Sequence, residues 1–414
     1  MRTIQLTKRM VRDDWGGTET VIFETTQRLV AKGHPSEVFC TIASANSTEE
    51  YLKGLRIRRF SSFYPYIGLK PGARAILDKK GGSPISFPMM RALKQEPELD
   101  LIHLHTGNRL GGMGRLVARQ RRIPYVISLH GGAFDIPQAE AESMAAPTKG
   151  ALDYGKVLGL WVGARKVLSE ASAILCVGYP ESLLAMERMP GKRVVYLPNG
   201  ADTRRFGEGD GAGFRRARGI PEDAFVLLTL ARIDSQKNQL LPVRMLPELL
   251  KREPKAHVLL VGSVTNTAYH DQVVRAAEEL GVREHLTVIP GIPSDSPDLA
   301  SAYHAANLFV LPSIHEPFGI VILEAWSAGL PAIASRIGEI PHFVEDGVDG
   351  LLFDPADEAS FLGAFEGVVG NPALSRSLSE RGRKKARERY DWDVITERLI
   401  GVYEDAIREN FIRQ

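Results

Sequence analysis

The stretch His315 to Pro331, HEPFGIVILEAWSAGLP, decides how this chain is read. Glu316 and Glu324 stand there with seven residues between them, and the second interrupts an otherwise apolar run. Ile320 and Val321 fall one helical turn before Glu324 and Ala328 one turn after, which puts the carboxylate on the apolar stripe of a helix. A buried carboxylate requires hydrogen-bond donors, supplied either by the protein or by a polyhydroxylated ligand. Pro317 suits the first turn of that helix. Phe318, Gly319 and Ile320 bring backbone N–H groups without intrahelical acceptors, and Gly329 with Pro331 closes the helix.

Around this stretch the chain alternates strand and helix patterns. In the first half, apolar, β-branched runs predict strands at Thr3–Leu6, Glu37–Ile42, Leu55–Phe60, Leu101–His105, Tyr125–Leu129, Ala173–Val177 and Val194–Leu197. Amphipathic segments at Thr18–Lys32 and Leu152–Ser169 separate several of them. In the second half strands are expected at Phe225–Leu230, His257–Val261, Leu286–Ile289, Leu308–Leu311 and Ala332–Ala334. Such alternation argues for α/β architecture with one parallel, doubly wound sheet per half. A chain of 414 residues also exceeds one ordinary core. The apolar pattern gives way to glycine and charge in Pro198–Gly213, so the expected division is 1–205, 206–390 and a C-terminal helix over 391–414.

Composition narrows the class. Hydrophobic residues at 44%, charged residues at 25% and a formal charge of +2 exclude a membrane-embedded or disordered chain. That balance predicts no nucleic-acid partner. Cys40 and Cys176 sit in apolar strand-like runs as small core residues, which suggests a reducing compartment. The N-terminus lacks the apolar core of a signal peptide and no apolar run reaches the length of a spanning helix, so the expected location is cytoplasmic.

In open parallel sheets ligands bind beyond the carboxyl ends of the strands. Three segments meet that condition. Gly16 and Gly17 in DDWGGTET follow the first strand, with Thr18 as the expected N-cap; the pair is either a plain strand-to-helix turn or a place where an anion approaches backbone N–H donors. Arg232 and Lys237 in LARIDSQKNQ follow the strand FVLLT, either as solvated loop charges or as two fixed cations for a diphosphate. The third segment is HEPFGIVILEAWSAGLP itself.

With ARIDSQKN, PSIHEPFGIVILEAWSAGLPAIAS, an early GGTE, a central SLHGG and PNGADTRRF in this order, the chain resembles the retaining nucleotide-sugar glycosyltransferases of family four. The resemblance implies the GT-B fold, two Rossmann-like domains facing a central cleft, with the final helix returned to the first domain. It implies that Arg232 and Lys237 hold the donor diphosphate, that Glu324 binds the ribose hydroxyls and that Glu316 contacts the transferred sugar. The backbone at Phe318, Gly319 and Ile320 would support sugar and phosphate, with Gly16 and Gly17 on the phosphate side. Gly262, Gly291 and Ile292 match the region that receives the nucleobase. His130 in SLHGG matches a histidine placed beside the reacting sugar; a hydrogen-bonded histidine ending a strand is the other reading. The implied reaction moves a hexose-type sugar from a UDP- or GDP-sugar to a glycan or lipid-linked acceptor with retention, without metal or other cofactor, in polysaccharide, lipopolysaccharide or glycolipid synthesis.

The sequence departs from the family after PAIAS, where Glu339 replaces a glycine and His342 a glutamate. Asp391-Trp392-Asp393 follows a charged helical stretch and makes a poor metal site. The RGRKKARERY run, Arg381 to Tyr390, reads as a solvent-facing helix. Basic residues from Lys70 to Arg122, including Lys80, Arg109, Arg115 and Arg121, interleave with Phe63, Tyr64, Tyr66, Phe87 and Met89. They form either a solvated basic face or a peripheral contact with anionic lipid. A Rossmann dehydrogenase fails on the spacing of Gly111, Gly112 and Gly114, and a Walker nucleotide switch on the missing lysine motif. A non-catalytic nucleotide-sugar-binding scaffold, a small-acceptor transferase with sucrose-synthase-like chemistry and a pyridoxal-dependent phosphorylase stay open.

Overall fold

The computed structural model describes residues 1–11, 15–43, 45–79, 81–132, 134, 142 and 144–413. Asp13 and Asp14 of DDWGGTET, and Lys80 of the basic run, lie outside them. The chain divides into two compact units, Met1–Pro198 with Ile395–Gln414, and Asn199–Val394.

Among the described residues the first unit carries an eight-stranded sheet. Its order is Val194–Tyr196, Ala173–Cys176, Tyr125–Leu129, Leu101–Leu104, Thr3–Leu6, Ser36–Thr41, Leu55–Phe60 and Glu49–Leu52. Every pairing is parallel except the last, where Glu49–Leu52 turns back on Leu55–Phe60. That edge strand alternates exposed and half-buried residues over a polar EEYL sequence, so it carries no apolar signal of its own. The strand order reverses between Thr3–Leu6 and Leu101–Leu104, which fixes a crevice at their carboxyl ends.

The second unit carries six parallel strands in the order Leu286–Ile289, Ala256–Val261, Phe225–Leu230, Leu308–Leu311, Ala332–Ser335 and Leu351–Phe353. Both faces are covered by helices. Val226, Leu228, Leu259, Val261, Phe309 and Leu311 pack into one apolar cluster, while Leu227, Val258, Leu260, Leu308 and Val310 pack into the other. The period of two along each strand therefore feeds two cores, and the strands read as continuous apolar runs. Here the order reverses between Phe225–Leu230 and Leu308–Leu311.

Three local expectations are corrected. The segment Leu152–Ser169 is not one helix: Leu152–Asp153 pairs with Tyr66–Ile67, the helix covers Gly155–Trp161, and Gly163 at φ 65° turns the chain left-handed before Val167–Glu170. The first long helix, Gly17–Ala31, is capped at Gly16 rather than Thr18, with the Glu19 carboxylate accepting from the Gly16 N–H at 3.1 Å. The helix of the opening stretch begins at Ile320. Pro317 and Phe318 lie in the preceding loop, and Gly319 at φ 96° is the left-handed turn into it.

Candidate functional site

The switch point of the second sheet brings two of the expected residues together. The strand Phe225–Leu230 leads into the loop with Arg232 and a short 3₁₀ turn, Ser235–Lys237. Asp234 caps that turn by accepting from the Gln236 N–H at 2.8 Å, and the Gln239 amide donates to the Arg232 carbonyl at 2.7 Å. Ile233 joins the loop after the neighbouring strand by donating to the Ser263 carbonyl. Held this way, Lys237 Nζ lies 2.7 Å from Glu316 Oε2, which comes from the loop after Leu308–Leu311. Ser313, fully buried, turns its hydroxyl toward the same oxygen at 3.4 Å.

This ion pair is mostly withdrawn from water, with side-chain exposures of 14% for Lys237 and 10% for Glu316. One more loop closes on it. Gly338, at φ 53°, passes so near the Glu316 carbonyl that any Cβ would overlap it. Gly262 meets the Ala231 carbonyl in the same manner, so the loops after the first two strands of this unit touch backbone to backbone. Glu339, next to Gly338, is buried.

Arg232 stands apart from the pair. Its side chain is 55% exposed and 3.6 Å from Asp234, the arrangement of a loop cation facing solvent. Gly291 at φ 102° and the partly buried Ile292 follow the strand Leu286–Ile289. Glu324 lies on the helix Ile320–Ser327 as expected but is half-buried, and the fully buried Tyr303 donates to its Oε2 at 2.5 Å. Burial, and after it the Glu324 carboxylate, push the Tyr303 hydroxyl far above its ordinary pKa. Of the two donor sources that the sequence left open, the protein thus supplies one.

In the first unit, His130 follows the strand Tyr125–Leu129. Its Nε2 lies 2.9 Å from His105 Nδ1, and the two rings stack at 5.2 Å between centroids. Burial lowers the His130 pKa to about 4 and that of His103 to about 3, so both rings are neutral near pH 7. The partners Gln5, His103, His105 and Tyr403 escaped the sequence reading. The available signal was the H-x-H spacing in DLIHLHT, since histidine has no packing reason to recur at the end of an apolar strand. At Gly16 the N–H is already satisfied by Glu19, and the Glu19 carboxylate also holds Arg9 Nε at 3.1 Å. An anion at this turn would therefore depend on Gly17 and Thr18.

Three members of the basic run are structural, while Lys70, Arg74, Lys79, Arg91, Lys94, Arg119 and Arg122 are exposed. Arg109 donates to the Gly155 and Ser83 carbonyls and pairs with Asp153. Arg115 pairs with Glu170 at 2.5 Å, Arg121 caps the carbonyls of Leu93 and Glu96, and Met89 is fully buried. Asp391 accepts from the Thr203 hydroxyl and from the Asp393 N–H at 2.8 Å, which caps the helix Trp392–Arg413. Among the described residues no group of three His, Cys, Asp or Glu side chains is placed to hold a metal ion.

Two doubly wound units, the second with a cation and a carboxylate across its switch point, define a glycosyltransferase of GT-B fold. Residues 212–385 match the family described as glycosyl transferases group 1, and residues 15–205 match glycosyltransferase family 4. Between them the two matches span both halves, and the chain belongs to the family-4 glycosyltransferases of group 1. It is 28% identical to a D-inositol 3-phosphate glycosyltransferase 1 of Catenulispora acidiphila, over 95% of this chain and 92% of that protein. It is 29% identical to a D-inositol 3-phosphate glycosyltransferase of Actinosynnema mirum, over 95% and 93%. Among solved structures it resembles Anabaena HepE in complex with UDP, with a TM-score of 0.72, 18% identity and coverage of 98% and 100%. Sucrose-phosphate synthase of Thermosynechococcus elongatus gives 0.71 at 21% identity, each chain covered fully.

Proposed function

We propose that the chain is a retaining hexosyltransferase that takes its sugar from a UDP- or GDP-linked donor and passes it to an acceptor hydroxyl. The observation that carries this reading is the Lys237–Glu316 pair at the switch point of the second unit, 2.7 Å apart and nearly buried. A diphosphate arriving there competes for the ammonium group, and the carboxylate it releases can accept from sugar hydroxyls. Arg232, exposed in the same loop, is available to the distal phosphate as a planar fork. Glu324, half-buried and held by Tyr303, would be the carboxylate that meets the ribose hydroxyls. Lys237, Arg232 and the N–H groups entering the helix Ile320–Ser327 would stabilise the departing nucleoside diphosphate as its charge develops, with no resident metal.

For the acceptor, a glycan or lipid-linked hydroxyl is supported by an exposed apolar surface on the first unit. Val157, Leu160 and Trp161 on the helix Gly155–Trp161 are exposed, as are Ile67 and Leu152 on the paired strands beside it. Phe63, Phe87 and Trp161 continue the surface ring to ring, at 6.1 and 6.5 Å. Exposed Lys149, Lys156, Arg165 and Lys166 flank it in sequence. Among the described residues no helix is long and apolar enough to cross a membrane, so this would be a peripheral contact with an anionic leaflet at the inner face of the cell membrane. A second reading, transfer to a small phosphorylated polyol, is favoured by the activity named for the bacterial relatives.

One experiment tests the core of the proposal. The protein is incubated with a panel of nucleotide sugars, with and without EDTA, and nucleotide release is followed by mass spectrometry. The product linkage is examined by NMR. Release from a UDP- or GDP-hexose, unaffected by EDTA and with the anomeric configuration kept, is expected, and Lys237→Ala should reduce it at least a hundredfold. An inverted product, or near-normal turnover of the variant at saturating donor, would refute the assignment.

A further inference from the structure

A hydrogen-bond chain in the first unit has a direction that can be read from its far end. The buried Ser36 hydroxyl lies 3.0 Å from the His34 carbonyl oxygen, which can only accept. Ser36 therefore donates there and offers its oxygen to Thr3 Oγ1, 2.8 Å away. The Thr3 proton goes to Ser36, so Thr3 Oγ1 accepts from the Gln5 amide at 3.2 Å. This orients Gln5 with its NH₂ toward Thr3 and its carbonyl oxygen toward His105 Nε2, at 2.9 Å. His105 thus carries its proton on Nε2 and its lone pair on Nδ1. That lone pair faces His130 Nε2 at 2.9 Å, which must donate.

Tyr403 lies beside the same amide. Its hydroxyl is 3.3 Å from Gln5 Nε2, 3.5 Å from Gln5 Oε1 and 2.6 Å from His103 Nδ1, which accommodates the orientation of Gln5 set by Thr3. Thr3, Gln5, His103 and Tyr403 are all at most 1% exposed, so water does not offer the groups alternative partners. Burial holds His105 and His130 neutral at pH 7, which is the condition for each ring to have one donor and one acceptor nitrogen.

We propose that the chain His34–Ser36–Thr3–Gln5–His105 fixes His130 in its Nε2–H tautomer, making Nδ1 an acceptor built for a ligand hydroxyl rather than a donor for a phosphate or carboxylate. Among the described residues Nδ1 of His130 has no protein partner. Gln5 and His105 are positioning residues: they act through His130. Only the nature of the ligand rests on His130 facing the transferred sugar; the tautomer does not.

The test is long-range ¹H–¹⁵N correlation NMR of the full chain labelled in histidine, at pH 7, with His130 assigned by its loss in His130→Asn. Both His130 and His105 should show a protonated Nε2 and an unprotonated Nδ1. In Gln5→Leu and in Ser36→Ala, checked for native circular dichroism, at least about a tenth of His130 should move to the Nδ1–H form, because the direction of the chain is no longer imposed. A donor that turns over should shift the His130 Nδ1 resonance by hydrogen bonding without protonating it. A proton on Nδ1 of His130 in the unmodified chain overturns the proposal whatever the variants do. An unchanged tautomer ratio in both folded variants overturns the role of the relay, and protonation of Nδ1 on donor binding overturns the hydroxyl assignment. The spectrum of the ligand-free chain needs no turnover, so it stands or falls separately from the proposed reaction.

Discussion

At the scale of single residues, the Lys237–Glu316 pair performs two tasks with opposed requirements. In the proposed reaction it stays paired without ligand and opens for a diphosphate. Removing either partner leaves the other charge nearly buried and alone, which costs about 1–3 kcal/mol at a site of this exposure. Lys237→Ala and Glu316→Gln should therefore each lower stability in urea unfolding, while the double substitution loses less than the sum. A strictly additive cycle would show that the two side chains are not paired in solution. Glu324 was legible in sequence as a carboxylate on an apolar helix, but its partner was not. Tyr303 lies 21 residues earlier on a different helix, and such long-range donors leave no local pattern. The same holds for His130: SLHGG marked the residue, whereas Gln5 and His105 come from two other strand segments that only the sheet order brings beside it.

At the scale of elements, the central strands were legible because they are buried on both faces and read as continuous apolar runs. Leu351–Phe353 and the edge Glu49–Leu52 were missed, the first for brevity and the second for its polar sequence. Helix starts were less legible. The turn into Ile320–Ser327 depends on Gly319 taking φ 96°, and a proline two residues earlier mimics a helix start without making one. The Leu152–Ser169 segment misled for a related reason: its apolar residues are not a buried stripe. Val157, Leu160 and Trp161 are 71%, 69% and 53% exposed. An exposed apolar face of this kind marks an interaction surface. Val157→Glu with Leu160→Glu should leave thermal stability nearly unchanged, because neither residue is in a core. It should abolish salt-sensitive co-sedimentation with vesicles containing anionic lipid. Equal binding of both proteins, or no binding by the unmodified one, would remove the membrane contact from the proposal.

At the scale of the whole molecule, buried neutral histidines make acid response uneven between the two units. Among the described residues the first unit holds His103, His105 and His130, with pKa lowered by burial to about 3, well below normal and to about 4 respectively. The second holds His257, lowered to about 4. Each pKa lies below the ordinary histidine value, so the unfolded chain binds these protons first as pH falls. The stability they contribute is whole above about pH 6.5 and is lost progressively as pH falls toward the folded values. Depressed carboxylates such as Glu49, Glu170 and Asp405 in the first unit and Asp223 and Glu248 in the second act lower, below their ordinary range near 4. Between roughly pH 6.5 and 4.5 the histidines therefore dominate, with three in one unit against one in the other. Hydrogen exchange by mass spectrometry at pH 7 and pH 5, corrected for intrinsic rates, should show protection falling more in Met1–Pro198 than in Asn199–Val394. His103→Phe, which removes one protonation site while keeping the ring volume near Tyr403, should reduce that difference. Equal loss in both units, or a steeper loss in the second, would mean that the buried histidine chain is not held neutral by the fold, and with it would go the single-tautomer state that His130 requires.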